Sequence, residues 1–163
     1  MLKTLKNVFV SHHHKDDASV DGLTSILAEK NYTIRNSSIR AKPENQKRLD
    51  KKQVSDEVIK RLLQRKMRWA SQLIVVIGTE THARPWVNWE IEIAHKLGKP
   101  IIGVFENGLK DQVDMPANLE KYASSRVFGW RSESIIKALE GKGQFQNFDG
   151  SISEINIGVN ILC

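Results

Sequence analysis

The chain has 163 residues with 40% hydrophobic content, which suits one globular domain with a proper core rather than two. Its single cysteine is the last residue, Cys163, so no disulfide framework is available and a reducing, cytoplasmic setting is expected. No segment approaches a membrane span. The net charge of +6 raises the question of nucleic acid, but the excess lies mainly between Arg35 and Arg68. No aromatic residue interleaves that basic stretch before Trp69, so a stacking platform for single strands is missing and nucleic acid is disfavoured as the ligand.

In chain order, Asn7 to Ser11 reads as a short buried strand. A helix follows, with Asp16 and Asp17 in its first turn, Val20, Leu23 and Leu27 on one face, and Asn31 placed to end it in a left-handed cap. Tyr32 to Arg35 is a second strand. Asn36 to Gln53 is polar throughout and reads as a long loop whose basic residues suit a lid over an anionic ligand. The basic helix after it is expected to bury a stripe of Val54, Val58, Leu62 and Leu63, with Glu57 and Arg61 paired on its surface.

Leu73 to Gly78 is apolar without alternation, as a central parallel strand covered on both faces should be. The next helix opens at Pro85 and closes at Gly98. Ile101 to Phe105 is the fourth strand, one helical turn is expected after Pro116, and Arg126 to Trp130 is the fifth strand. Ser132 can cap a last helix running to Gly141. Strands alternating with helices predict an α/β fold, a five-stranded parallel sheet in flavodoxin-like order with helices on both faces. Residues 1–141 form this domain and 142–163 an extension, in which Ile155 to Ile161 alternates strictly and reads as an extra C-terminal edge strand.

One residue does not fit its surroundings. On a helical wheel, Trp86, Val87, Trp89, Ile91, Ile93, Ala94 and Leu97 form a broad apolar arc, with Asn88, Glu92, His95 and Lys96 opposite. Glu90 falls near the middle of the apolar arc. An unpaired carboxylate there would cost several kcal/mol, roughly, so it is either paired locally, for example with Arg84, or present for its chemistry. It also lies about a turn and a half from the helix start, close to the carboxyl edge where open α/β sheets bind ligands.

These residues resemble the TIR domains. Asn7-Val8-Phe9-Val10-Ser11-His12 resembles their first strand, Trp86-Val87-Asn88-Trp89-Glu90 the Trp-x-x-x-Glu motif of the NAD-cleaving members, and Phe128-Gly129-Trp130 the late Phe-Trp box. Ile77 to Thr79, Arg84 to Ile91 and Lys99 to Val104 are most similar to the TIR-like subunits of bacterial Thoeris anti-phage systems. The departures are Asn7 in place of an acidic residue and the absence of a Pro-Gly turn in the loop after Asn36.

The resemblance implies an NAD glycohydrolase or cyclase that makes an ADP-ribose-derived signal, with NAD as substrate and no separate cofactor. It implies Glu90 as the catalytic carboxylate, Trp86 as the pocket wall, Ser11 and His12 as contacts to the dinucleotide, and Asn36 with Ser37 at the start of the covering loop. A separate effector protein would read the signal, and a homo-oligomer would follow if the tail strand at 155–161 paired with another subunit's edge. The competing reading is a non-catalytic scaffold acting through TIR–TIR assembly, which would not need Glu90 on an apolar arc. The run His12-His13-His14 is read as a polar loop rather than a metal site, because no Cys or acidic partner stands at ligand spacing. Gly78-Thr79-Glu80-Thr81 offers no phospho-accepting Asp, and the turn after Ser11 lacks the glycines of a dinucleotide-binding dehydrogenase.

Overall fold

The computed structural model describes residues 4–12, 17–36, 55–106, 114–123, 125–127 and 132–141. The expected covering loop after Asn36, His13 and His14, the Phe-Trp box at 128–130 and the expected edge strand at 155–161 lie outside them. Five strands, β1 (Thr4–Ser11), β2 (Tyr32–Asn36), β3 (Gln72–Ile77), β4 (Ile101–Phe105) and β5 (Ser125–Val127), form one sheet in the order β2-β1-β3-β4-β5. Every neighbouring pair is parallel. The helices are α1 (Asp17–Ala28), α2 (Asp56–Trp69), α3 (Pro85–Lys96), α4 (Ala117–Tyr122) and α5 (Ser132–Leu139).

Strand alternation divides the core in two. Phe9, Leu73, Val75, Ile77, Ile101 and Phe105 face one side, where α2, α3 and α4 pack. Val8, Val10, Ile74, Val76, Ile102 and Val104 face the other, covered by α1 and α5. All of β3 is buried, as its unbroken apolar run requires. Gly103 lies on the α4 side: a methyl there would come within 3.1 Å of both Ile77 Cδ1 and Leu119 Cδ2, so the bare backbone is what lets α4 sit so close.

The helix ends follow local chemistry. Asn31 has φ 58°, the left-handed conformation its short polar side chain tolerates. Gly98 has φ 68° and ends α3 in a Schellman motif, with Lys99 N–H donating to Ala94 O and Gly98 N–H to His95 O. Ser55 caps α2 by accepting from Val58 N–H. The expected stripe of α2 is borne out at Leu63 and corrected at Val58, while Val54 lies outside the described residues. Ile59, Leu63 and Met67 face the sheet, Leu62 packs beside them, and Val58 is 47% exposed. Two i,i+4 rows one residue apart compete on this helix, and the row with more apolar volume, continuing to buried Ala70, takes the core.

Candidate active site at the carboxyl edge of the sheet

The site begins with the turn after β3. Gly78 N–H donates to Thr81 Oγ1 at 2.8 Å, and the same hydroxyl donates to Val76 O at 3.3 Å. Thr81 is wholly buried, so this pair of bonds fixes how the chain leaves the sheet. A single 3₁₀ turn, Thr81–Ala83, then delivers Pro85 to the first position of α3, where its missing N–H costs nothing.

On α3 the buried residues are Val87, Glu90, Ile91, Ile93 and Ala94, with Glu90 only 7% exposed. Trp86 and Trp89 are half-buried and pack against the same core. Glu90 thus sits within the sheet-facing surface of its helix, about 7.5 Å along the axis from Pro85. It is not left without a partner. The ion pair seen for Arg84 is with Glu80, at 3.5 Å, and both of those side chains are half-exposed.

Ser11 closes β1 opposite Val75, two residues before the end of β3 and so about 7 Å below it. By alternation from Phe9 it faces the α3 side, as Glu90 does. Ser11 is 1% exposed, and its Oγ has no hydrogen-bond partner among the described residues. A buried hydroxyl in that condition is a ready hydrogen-bond group for something else. His12, the next residue, is also buried. Asn36 ends β2 level with Val8, three residues or about 10 Å short of Ser11 along the strands. Ser37 lies outside the described residues. The fold therefore brings Ser11, His12, Trp86 and Glu90 to one edge, with Asn36 lower on the neighbouring strand.

Two features escaped the sequence reading. The polar side of α3 is not simply solvated. Asn118 of α4 donates from its backbone N–H to Asn88 Oδ1 at 3.2 Å and from Nδ2 to Asn88 O at 2.8 Å. Beside them His95 stacks on Tyr122, with ring centroids 3.8 Å apart. These contacts clamp the helix that carries Glu90. The second feature is Glu106, directly after β4, whose N–H donates to Ile77 O at 2.9 Å while its carboxylate accepts from Ser19 Oγ of α1. It adds a second carboxylate to the same edge, on the α1 side. Among the described residues no group of three His, Cys, Asp or Glu could hold a metal ion, and no helix is long and apolar enough to cross a membrane.

A curated relative from Bacillus cereus (strain MSX-D12), named "Putative cyclic ADP-D-ribose synthase ThsB1", is 32% identical over 107 residues, which are 66% of this chain and 55% of the relative. The chain thus spans about half the length of the curated relative it matches. Among solved structures, the CMP N-glycosidase BcmB of Clostridium botulinum covers 83% of this chain and 98% of its own, at 17% identity and a TM-score of 0.49. A 2-deoxyribosyltransferase from Bacillus psychrosaccharolyticus covers 76% and 87%, at 15% identity and the same TM-score of 0.49. Likenesses at that distance do not speak to chemistry. The family model described as "Thoeris protein ThsB, TIR-like domain" matches residues 9–111, a span that includes Ser11, the Thr81 turn and all of α3. The chain belongs to the TIR-like domain family of Thoeris protein ThsB.

Proposed function

We propose that the protein cleaves NAD at its nicotinamide–ribose bond and makes an ADP-ribose-derived, cyclic signal that a separate effector protein reads in anti-phage defence. The observation that carries this reading is the burial of Glu90 on the sheet-facing side of α3, near the carboxyl edge. Membership of the ThsB family and the name of the Bacillus cereus relative support the same chemistry.

The reaction asks little of acid catalysis. Nicotinamide leaves as a neutral molecule, because the electron pair of the breaking C1′–N bond cancels the charge on the ring nitrogen. What must be stabilised is the positive, oxocarbenium-like ribose left behind. Glu90 supplies the opposing charge from a water-poor helix face, where electrostatic stabilisation is strongest. Ser11 Oγ, on the same side of the sheet, is suited to bond the bound dinucleotide. Trp86 walls the pocket beside the ribose. Capture of the ribose carbon by a nucleophile within the adenosine half gives a cyclic product, and capture by water gives ADP-ribose and a proton.

The test is Glu90→Gln, which keeps the shape and removes the charge. Nicotinamide release from NAD should be abolished while the melting temperature is retained. If this variant turns over NAD at the wild-type rate, Glu90 is not the catalytic carboxylate.

A further inference from the structure

Alternation gives the carboxyl edge two chemically different sides. Ser11 and Glu90 lie on the side of α2 to α4, whereas the side chain after Phe105 turns the other way, and Glu106 meets Ser19 in the first turns of α1. Among the described residues the polar partner of the Glu106 carboxylate is that one neutral hydroxyl, with no Lys or Arg paired to it. A carboxylate accepts at about four lone-pair sites, and Ser19 occupies one of them while holding the group in place. Glu106 is half-buried and stands at the end of β4, next to β3 in the sheet. Such a group binds hydroxyl donors and repels phosphate.

Resting on the reading of NAD as substrate, we propose that Glu106 is a specificity-determining residue that accepts hydrogen bonds from the ribose diol of the adenosine half. Glu90 serves the ribose beside nicotinamide on the α3 side, and Glu106 offers an acceptor for a second diol on the α1 side of the same edge. NADP carries a phosphate on that second ribose, where a fixed negative charge would reject it. Glu106 therefore sets the enzyme to NAD over NADP, and Ser19 is the positioning residue that aims it.

The experiment compares nicotinamide release from NAD and NADP by wild type and Glu106→Gln, with calorimetric binding of both nucleotides to Glu90→Gln and to the double variant. Wild type should favour NAD, and Glu106→Gln should shift the ratio of kcat/KM values toward NADP by on the order of tenfold, the effect of removing one charge near a phosphate. The dissociation constants should shift in the same sense. If NAD is bound and cleaved but the ratio is unchanged by Glu106→Gln, the inference falls and the NAD reading stands. If wild type cleaves neither nucleotide and Glu90→Gln binds neither, the NAD reading itself falls and takes the inference with it. Should Glu106→Gln fail to fold, Glu106→Ala removes the same charge with a smaller side chain, and an unchanged NAD preference in that variant overturns the proposal.

Discussion

Trp86 and Trp89 meet edge to face on α3, with ring centroids 5.8 Å apart and 77° between their planes. Trp86 lies one helical turn before Glu90, and Lys60 of α2 lies 5.9 Å above the Trp89 ring. An edge-to-face aromatic pair adds roughly 0.5–1.5 kcal/mol beyond the area it buries, so these rings also fix one another's orientation.

Trp86→Ala should therefore lose both packing and turnover. A fully buried Trp costs about 3–5 kcal/mol on truncation, and Trp86 is only half-buried, so about 2 kcal/mol is expected. Trp86→Phe keeps a ring against Trp89 and should recover most of the stability. Denaturant unfolding of the three proteins, read beside their rates of nicotinamide release, checks this. An alanine variant with wild-type stability and rate would make Trp86 a surface residue.

Ser11 gives a contrasting expectation. Its hydroxyl is buried but has no partner among the described residues, so Ser11→Ala should change stability by less than about 1 kcal/mol. If the hydroxyl bonds the dinucleotide, the loss appears instead as a higher KM for NAD. Equal KM values for the alanine variant and wild type would remove Ser11 from the binding surface.

What was legible in the sequence, and what was not, follows from the range of the interactions. The caps at Asn31 and Gly98, the start of α3 at Pro85 and the apolar run of β3 are local properties, and each is found where the residue types place it. The burial of Glu90 was legible because helical periodicity fixes which residues share a face. The stripe of α2 was legible at Leu63 but not at Val58, because two rows of similar spacing overlap and only the sheet decides between them. Glu106 was invisible for a different reason: its partner Ser19 is 87 positions away, and no periodicity links a residue beyond a strand to a helix on the far side of the sheet. The clamp of Asn118 on Asn88 is non-local in the same way.

Tyr32 carries the clearest pH dependence. Burial, with the negative charge of Glu140 adding to it, pushes the Tyr32 hydroxyl up to about 12. In the unfolded chain it would titrate near its ordinary value of about 10. Between those values the unfolded state has lost the proton that the folded state keeps, so stability falls as pH rises through that window and is untouched below it. The hydroxyl has no hydrogen-bond partner among the described residues, so Tyr32→Phe should be neutral or slightly stabilising at pH 7. The urea midpoint measured from pH 7 to pH 11.5 should drop at the alkaline end for wild type and hold better for Tyr32→Phe. Parallel curves for the two proteins would show that Tyr32 does not ionise as its burial requires.

Thr81 tests whether the turn after β3 sets the position of Glu90. Its hydroxyl accepts from Gly78 N–H and donates to Val76 O, inside a turn closed to solvent. Thr81→Val keeps the shape but leaves the Gly78 N–H unpaired, which costs roughly 1–3 kcal/mol for a buried donor. Thr81→Ser keeps both bonds and gives up only a methyl group, so it should be the milder change. The cost in function arises because α3 starts directly from this turn, and a small shift of its first residues carries Glu90 with it. Thr81→Val should therefore lower kcat for nicotinamide release under conditions where the variant remains fully folded, and Thr81→Ser should restore it. If Thr81→Val is destabilised but its folded fraction works at the wild-type kcat, the turn holds the fold together without placing the carboxylate.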